Sequence, residues 1–264
     1  MTKNNIDKIE LRIPIENQIQ NDRYRRGQQV RGLIKKVESS IKGLEIILSR
    51  TDNNFLKRLF ELEVPEIDDG IIEIKAISRV PGERSKVVVY SSDRRIDAVG
   101  ACVGMKGNRI QSIVRELNGE KIDIINFSDQ PELLLTRAIA PAKPINLLLD
   151  EERPYALIVF EDDDLSIAIG RSGQNVQLAS DVTGYTIDAI SLSEYNKRNG
   201  IVDSNHLSTV KGFSDKLLNA LGENDINTKD EFSSKREEIL EIKGFGEKTY
   251  ERLLENIKSE SVDA

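Results

Sequence analysis

A frame that occurs twice constrains this chain more than any other feature of it. One copy runs through Gly104-Met105-Lys106-Gly107 and the other through Gly170-Arg171-Ser172-Gly173. Each loop falls where one apolar helical pattern stops and another starts. Each is followed by a helix of mixed polarity, a glycine (Gly119, Gly184) and then Ile122-Asp123 or Ile187-Asp188. The last loop glycine and the later glycine are 12 residues apart in one copy and 11 in the other. A lone Gly-x-x-Gly says little, because glycine pairs are common in turns. Two of them inside segments of matching pattern make an internal repeat, so the chain folds as at least two small, like units.

The chemistry follows from what such a loop can do. Glycines let the backbone turn tightly and bring its N–H groups close to a ligand with no Cβ in the way. The loop also opens the N-terminus of a helix, where unpaired N–H groups and the dipole favour anions. A nucleic-acid phosphate is the natural anion, and KH modules use a GXXG loop to clamp the backbone of four nucleotides. The bland alternative is a glycine-rich helix–helix turn with no ligand, and the duplication in register argues against it.

Composition narrows the field. In 264 residues, 38% are hydrophobic and only 5% aromatic, with no Trp, which suits several small aliphatic cores better than one large one. One cysteine, Cys102, excludes an intrachain disulfide, and with one histidine, His206, it leaves no usual zinc ligand set. Cys102 lies in the apolar run 98–103 and reads as core rather than nucleophile. No metal or cofactor is expected. No apolar run approaches membrane-spanning length and the start carries no signal-peptide core, so a cytoplasmic, membrane-free protein is expected.

The net charge of −7 looks wrong for a nucleic-acid binder until it is divided. Residues 22–58 hold 10 Lys/Arg against 4 Asp/Glu, and residues 75–121 hold 10 against 5. The acids lie further on: seven against one Arg in 150–164, and 13 against 9 bases in 205–264. Local charge sets a binding face, so the pattern is a basic front and an acidic rear.

Period-2 alternation at 8–14, 29–37 (with a slip) and 44–48 predicts three strands. A helix follows, capped by Thr51 or Asp52, with Phe55, Leu56, Leu59, Phe60 and Leu62 on its apolar face and Pro65 at its end. Strands are expected at 70–78 and 85–91, then a short helix to Cys102, the first loop, a helix at 108–117 and a strand at 121–127. The second copy repeats the order: a helix in 131–141, strands at 145–149 and 155–160, a short helix, the second loop, a helix at 174–183 and a strand at 185–190. Each copy thus makes a sheet with helices on one face. The polar stretch 196–204 reads as a linker. The tail is helical, and Lys211-Gly212-Phe213 and Lys243-Gly244-Phe245-Gly246 look like helix-hairpin-helix turns. Glu237, Glu238, Glu241, Glu247 and Glu251 crowd them, which favours protein docking over phosphate binding.

Three separated strings carry a resemblance: LSRTDNNFLKRLFELEVPEI, RRIDAVGACVGMKGNRIQSIVRELNGEKIDII and AIGRSGQNVQLAS. In that order they are similar to the NusA family of bacterial transcription elongation, termination and antitermination factors, from about Asp22 to Ile190. The tail string EILEIKGFGEKTYERLLENI resembles, more weakly, an acidic helical repeat of some members. The resemblance implies an α+β chain: an OB-fold of the ribosomal S1 type, then two tandem type II KH domains forming one extended RNA-binding surface. The expected boundaries are 1–50 for a partial OB-fold barrel, 51–127 and 128–193 for the KH domains, 194–204 for the linker and 205–264 for the acidic helix-hairpin-helix-like region. The resemblance does not take in the family's N-terminal RNA polymerase-binding domain, so the chain is expected to correspond to the C-terminal two-thirds of a family member. Three candidate strands fall short of the five an OB-fold needs. A neutral Gln177 stands where the family would supply a basic residue.

The expected RNA-binding residues are Gly104, Met105, Lys106, Gly107, Asn108 and Arg109 in the first loop and Gly170, Arg171, Ser172, Gly173, Gln174 and Asn175 in the second. Lys106, Arg109 and Arg171 would add charge to the backbone grip. The expected partners are single-stranded RNA, RNA polymerase and other transcription factors, and the expected state is a monomer. Two other classes compete with this one. An enzyme needs an acid/base pair or metal cluster, and none is visible; Lys248 and Asp263 would suit a glycosylase, but their surroundings are too small. A pure protein adaptor with inert KH folds is opposed by the basic stretches.

Overall fold

The structure, a computed structural model, describes residues 9–20, 22–40, 43–199 and 205–260; Asp263 and the end of the expected linker lie outside the described residues. The described residues divide into two compact units that part between Ile190 and Ser191.

The first unit begins with a three-stranded sheet of β1 (Glu10–Arg12), β2 (Leu33–Ser40) and β3 (Gly43–Ser49), in the order β1-β3-β2. β1 runs parallel to β3 and β2 antiparallel to it. The alternation expected over 29–37 slips because a bulge lies between Ile34 and Lys36, and the strand starts at Leu33. Register places Leu11, Ile46 and Val37 in one row across the sheet, with Ile34 opposite Leu48. Cross-strand partners share a face, and this face is open: Leu11 and Ile34 are each 60% exposed. Among the described residues the sheet has three strands, which alone do not close a five-stranded barrel.

Next comes α1 (Asn53–Glu63), capped by the Asp52 carboxylate, which accepts from Asn54 N at 2.8 Å. Phe55, Leu56, Leu59 and Phe60 bury as expected, but Leu62 is 70% exposed. At roughly 100° per residue Leu62 sits at the rim of the buried arc, beyond the reach of the core. Pro65 does end α1, and it also opens a short helix, α2 (Pro65–Asp68), at a position where its missing N–H costs nothing.

The first KH domain continues with β4 (Ile72–Val80), β5 (Arg84–Ser91), α3 (Ala98–Val103), α4 (Asn108–Glu116) and β6 (Lys121–Asn126). The sheet order is β4-β5-β6, with β4 and β5 antiparallel and β5 and β6 parallel. The second domain repeats the sequence as α5 (Pro131–Ala138), β7 (Asn146–Leu149), β8 (Tyr155–Phe160), α6 (Leu165–Ile169), α7 (Gln174–Thr183) and β9 (Thr186–Ser191), with sheet order β7-β8-β9.

The first sheet carries its own domain's helices on one face, as expected, and its other face is covered by the second domain. Val87, Val89 and Ile72 pack into the first domain's core with α1, α3 and α4. Val88 and Ile125, on the other face, join the second domain's core with Leu134, Leu135, Ala138 and Ala179 from α5 and α7. The first sheet is thus sandwiched, and the continuous run Val87-Val88-Val89 is the sequence mark of a strand buried on both faces. Ser78 Oγ donates to Asp181 Oδ2 at 2.8 Å across the same junction. The two KH domains share apolar contacts, so their loops are held at one spacing.

Lys86 lies in this seam with no exposed surface, donating to Asp123 Oδ2 at 3.0 Å and to Ala140 O at 3.2 Å. Burial pushes its ammonium below the ordinary lysine range, and Asp123 pulls it partly back. The unfolded chain therefore holds that proton more tightly, and stability rises with pH as it climbs toward the ordinary value near about 10.4. Asp123 also pairs with Arg84 at 2.7 Å, so removing the lysine does not orphan it. Lys86→Met is expected to be neutral or stabilising by about 1 kcal/mol. Urea unfolding at about pH 8 and 10 checks it: the stability gain on raising the pH should be smaller in Lys86→Met than in the parent.

Arg50 joins the N-terminal sheet to the first KH domain. Its guanidinium, 5% exposed, donates to Asp22 Oδ2 at 2.7 Å, Glu116 Oε1 at 2.8 Å, Arg31 O at 2.7 Å and Glu116 O at 2.7 Å. The one-residue difference in the repeat has a use here. Asn118 and Gly119 both take left-handed backbone where the second copy has Gly184 alone. The added Asn118 donates to Asp22.

The second unit contains α8 (Leu192–Arg198), α9 (Asp215–Gly222), α10 (Lys229–Ser234), α11 (Arg236–Glu241) and α12 (Glu247–Glu260). Residues 194–198, expected in the linker, are helical because Ser191 caps α8 through Glu194 N at 3.1 Å. Phe232 is the centre of the tail's core, stacked on Tyr250 at 5.0 Å and edge-on to Phe213 at 5.2 Å. Among the described residues no helix is long and apolar enough to cross a membrane.

Candidate nucleic-acid interface

The two Gly-x-x-Gly loops have the same backbone. Gly104 and Gly170 have φ/ψ of 74/173° and 72/176°, Lys106 and Ser172 54/26° and 52/31°, and Gly107 and Gly173 75/14° and 76/6°. A non-glycine residue in left-handed backbone costs energy, and the same outlier recurs at the third position of both loops. The glycines at the two ends serve different purposes. A Cβ on Gly104 would come within 2.5 Å of Asn108 Oδ1, and one on Gly170 within 2.8 Å of Asn175 Cβ. These first glycines allow the loop to pack against its own helix. A Cβ on Gly173 would meet nothing within 4 Å, and one on Gly107 only side-chain carbons at 3.9 Å or more. The last glycine faces open space, where a ligand can approach.

Hydrogen bonding agrees with that division. Gly107 N donates to Gly104 O at 3.0 Å and Gly173 N to Gly170 O at 3.2 Å, closing each turn. The amides of Met105 and Lys106, and of Arg171 and Ser172, lie in the turn that leads into α4 or α7, beside a helix start that favours anions. Met105 is 82% exposed; Lys106, Asn108, Arg171 and Ser172 are exposed as well. Lys106 has no carboxylate partner among the described residues, so its charge is available.

Two of the expected contact residues turn inward instead. Arg109 donates to Glu66 at 2.9 Å and to Ala101 O at 2.7 Å. Asn175, 1% exposed, donates to Ile139 O and Ala168 O, both at 3.0 Å. They occupy equivalent places in the repeat. Each ties its loop to the short helix before it and to the segment after the domain's first helix. They position the loop, and nothing in the sequence distinguishes that use of a polar side chain from ligand contact. Gln174 is partly covered and donates to Glu83 Oε2 in the first domain at 2.9 Å. Gln177 donates to Asp181 Oδ1 at 2.8 Å.

Pairing also thins the basic stretch of the first domain. Arg79 is buried against Glu120, Arg84 and the buried Lys86 both pair with Asp123, and Arg95 pairs with Asp93 at 2.7 Å. Lys106, Arg94, Arg115 and Lys121 remain without an ion pair among the described residues. Cys102 is fully buried, and burial pushes its thiol up to about 12, which suits core packing and not nucleophilic chemistry. In the tail, a Cβ on Gly212 would come within 2.8 Å of Asn256 Nδ2, whose amide donates to Lys211 O at 2.7 Å. That turn is packed against α12.

Each loop falls within a stretch that matches a known domain. Residues 50–127 match the NusA-like first KH domain and residues 131–197 the NusA-like second KH domain. A transcription termination/antitermination protein NusA of Halalkalibacterium halodurans is 45% identical over 189 residues, covering 72% of this chain and 50% of that protein. Its counterpart in Bacillus subtilis is 45% identical over 183 residues, covering 69% and 49%. The one in Rickettsia conorii is 40% identical over 196 residues, covering 73% and 39%. The chain spans half or less of the length of these curated relatives.

Proposed function

The chain belongs to the NusA family, and from that premise we propose that it is a non-catalytic RNA-binding factor of the bacterial transcription complex. In this reading it modulates pausing, termination and antitermination by gripping nascent single-stranded RNA, in the cytoplasm and as a monomer, alongside RNA polymerase and other transcription factors. The relatives carry termination and antitermination in their names, and this chain shares their KH pair. One observation carries the reading: two loops of different sequence adopt the same strained backbone with the last glycine facing open space. The Met105, Lys106, Arg171 and Ser172 amides grip phosphates there, and the splayed bases are read on their free edges. The N-terminal sheet extends this surface as part of an OB-fold, and the acidic tail docks protein.

Salt dependence tests the proposal. Each neutralised phosphate adds about 0.7 to the log–log slope for single strands. The parent should bind short single-stranded RNA with an affinity that falls steeply with salt. Lys106→Ala should lower that slope by about 0.7, and Arg171→Ala by less, because Glu83 lines the groove beside Arg171. Equal losses would contradict the ranking, and salt-insensitive or absent binding would leave the protein-adaptor reading in its place.

A further inference from the structure

The second loop shares its mouth with the first domain. Val80 and Glu83, from the β4–β5 hairpin, line a groove together with Arg171, Ser172, Gln174 and Gln177. Glu83 is exposed there, held by Gln174 Nε2 on one carboxylate oxygen. A carboxylate beside a phosphate-binding loop is costly, because it repels the anion the loop attracts. It is well suited to a different partner, the exocyclic amine of a base.

The hairpin that presents Glu83 is fixed from behind. Glu83 N donates to Val80 O at 3.0 Å, and Lys121 N donates to Glu83 O at 3.0 Å. Gly82 N donates to Glu120 Oε2 at 2.8 Å, and Glu120 is itself buried against Arg79. A polar group on so rigid a support discriminates between ligands instead of adapting to them.

We propose that this groove is a single-nucleotide site built by both KH domains, in which Glu83 selects a base that carries an amino group. Arg171 and the loop amides take the phosphate, and the partly buried Val80 backs the base. The free oxygen of Glu83 accepts from the amine of adenine, cytosine or guanine. Uracil offers one N–H between two carbonyl oxygens, and those oxygens repel the carboxylate. The site is incomplete without the first domain's hairpin, so base choice at the second loop is set from the neighbouring domain. This inference rests on the RNA-binding reading above.

Fluorescence anisotropy with labelled ten-nucleotide oligo(A), oligo(C) and oligo(U) on the full chain tests it. The parent should bind oligo(A) and oligo(C) about tenfold more tightly than oligo(U), the strength of one charge-assisted hydrogen bond. Glu83→Ala should bring the ratio toward one, chiefly by lowering affinity for oligo(A) and oligo(C). Glu83→Gln, whose amide also donates, should narrow the ratio by raising affinity for oligo(U). Glu83 is on the surface, so these variants fold. If the parent binds RNA and Glu83→Ala keeps the parent's ratio, the selection role is overturned alone. If the parent binds none of the three, the RNA-binding reading falls and this inference falls with it.

Discussion

Gly107→Asp is expected to lower affinity for single-stranded RNA about 10- to 100-fold while leaving the fold in place. The glycine has φ +75°, and a Cβ there would make only ordinary contact with side-chain carbons at 3.9 Å or more. Aspartate is among the few side chains that tolerate left-handed backbone, at a cost of roughly 1–2 kcal/mol, which a domain can absorb. Its carboxylate would stand where the phosphate has to approach, opposing the Met105 and Lys106 amides and the Lys106 charge. Gly173→Asp should act alike in the second loop, and the double variant should lose more than either. Gly104 is the wrong probe, because a side chain there meets Asn108 and Arg109 and disturbs packing first. Circular dichroism and an RNA titration on each variant decide the matter. A folded Gly107→Asp protein that binds as the parent does would show that the loop is only a turn.

The loops were legible in the sequence because their constraint is local. Glycine is favoured where backbone turns left-handed or packs closely against a helix, and the chain places it at the first and last positions of the loop twice. Helices and strands with clear periodicity were legible for the same reason, as the Asp52-capped α1 and the 121–127 strand show. What required the structure was tertiary. Arg109 and Asn175 are polar residues just after a Gly-x-x-Gly loop, and it is the tertiary fold that turns them onto Glu66 and the Ile139 carbonyl. Charge counts missed the same point, since a cation such as Arg79 that is buried in a pair adds nothing to a surface field. The seam between the KH domains was half visible. The run Val87-Val88-Val89 fits a strand covered on both sides, but no pattern says that the second cover comes from α5 and α7.

The largest stability effect should come from the pair beneath the hairpin. Arg79 and Glu120 have fully buried side chains and meet at 2.7 and 2.8 Å in a two-pronged contact. Arg79 also donates to Arg50 O at 2.8 Å and Asp52 O at 3.2 Å, while Glu120 accepts from Gly82 N at 2.8 Å and from the Ser85 hydroxyl. Four of the five guanidinium N–H groups and both carboxylate oxygens are engaged, the kind of bonding under which a buried pair can offset its desolvation. Glu120→Ala would leave a buried guanidinium, an amide and a hydroxyl without their acceptor, at an expected cost of about 3–5 kcal/mol. That approaches the whole stability of many domains, so the variant should be partly unfolded near room temperature. Glu120→Gln keeps one oxygen and should cost less. Replacing both partners, as Arg79→Met with Glu120→Leu, removes the orphaned charge and should recover much of the loss. The same pair holds the hairpin that carries Glu83, so the recovered double variant should fold yet discriminate poorly between oligo(A) and oligo(U). Urea denaturation of all four proteins measures the coupling. A Glu120→Ala cost under about 1 kcal/mol would mean that water reaches the site and that the hairpin is anchored by its backbone alone.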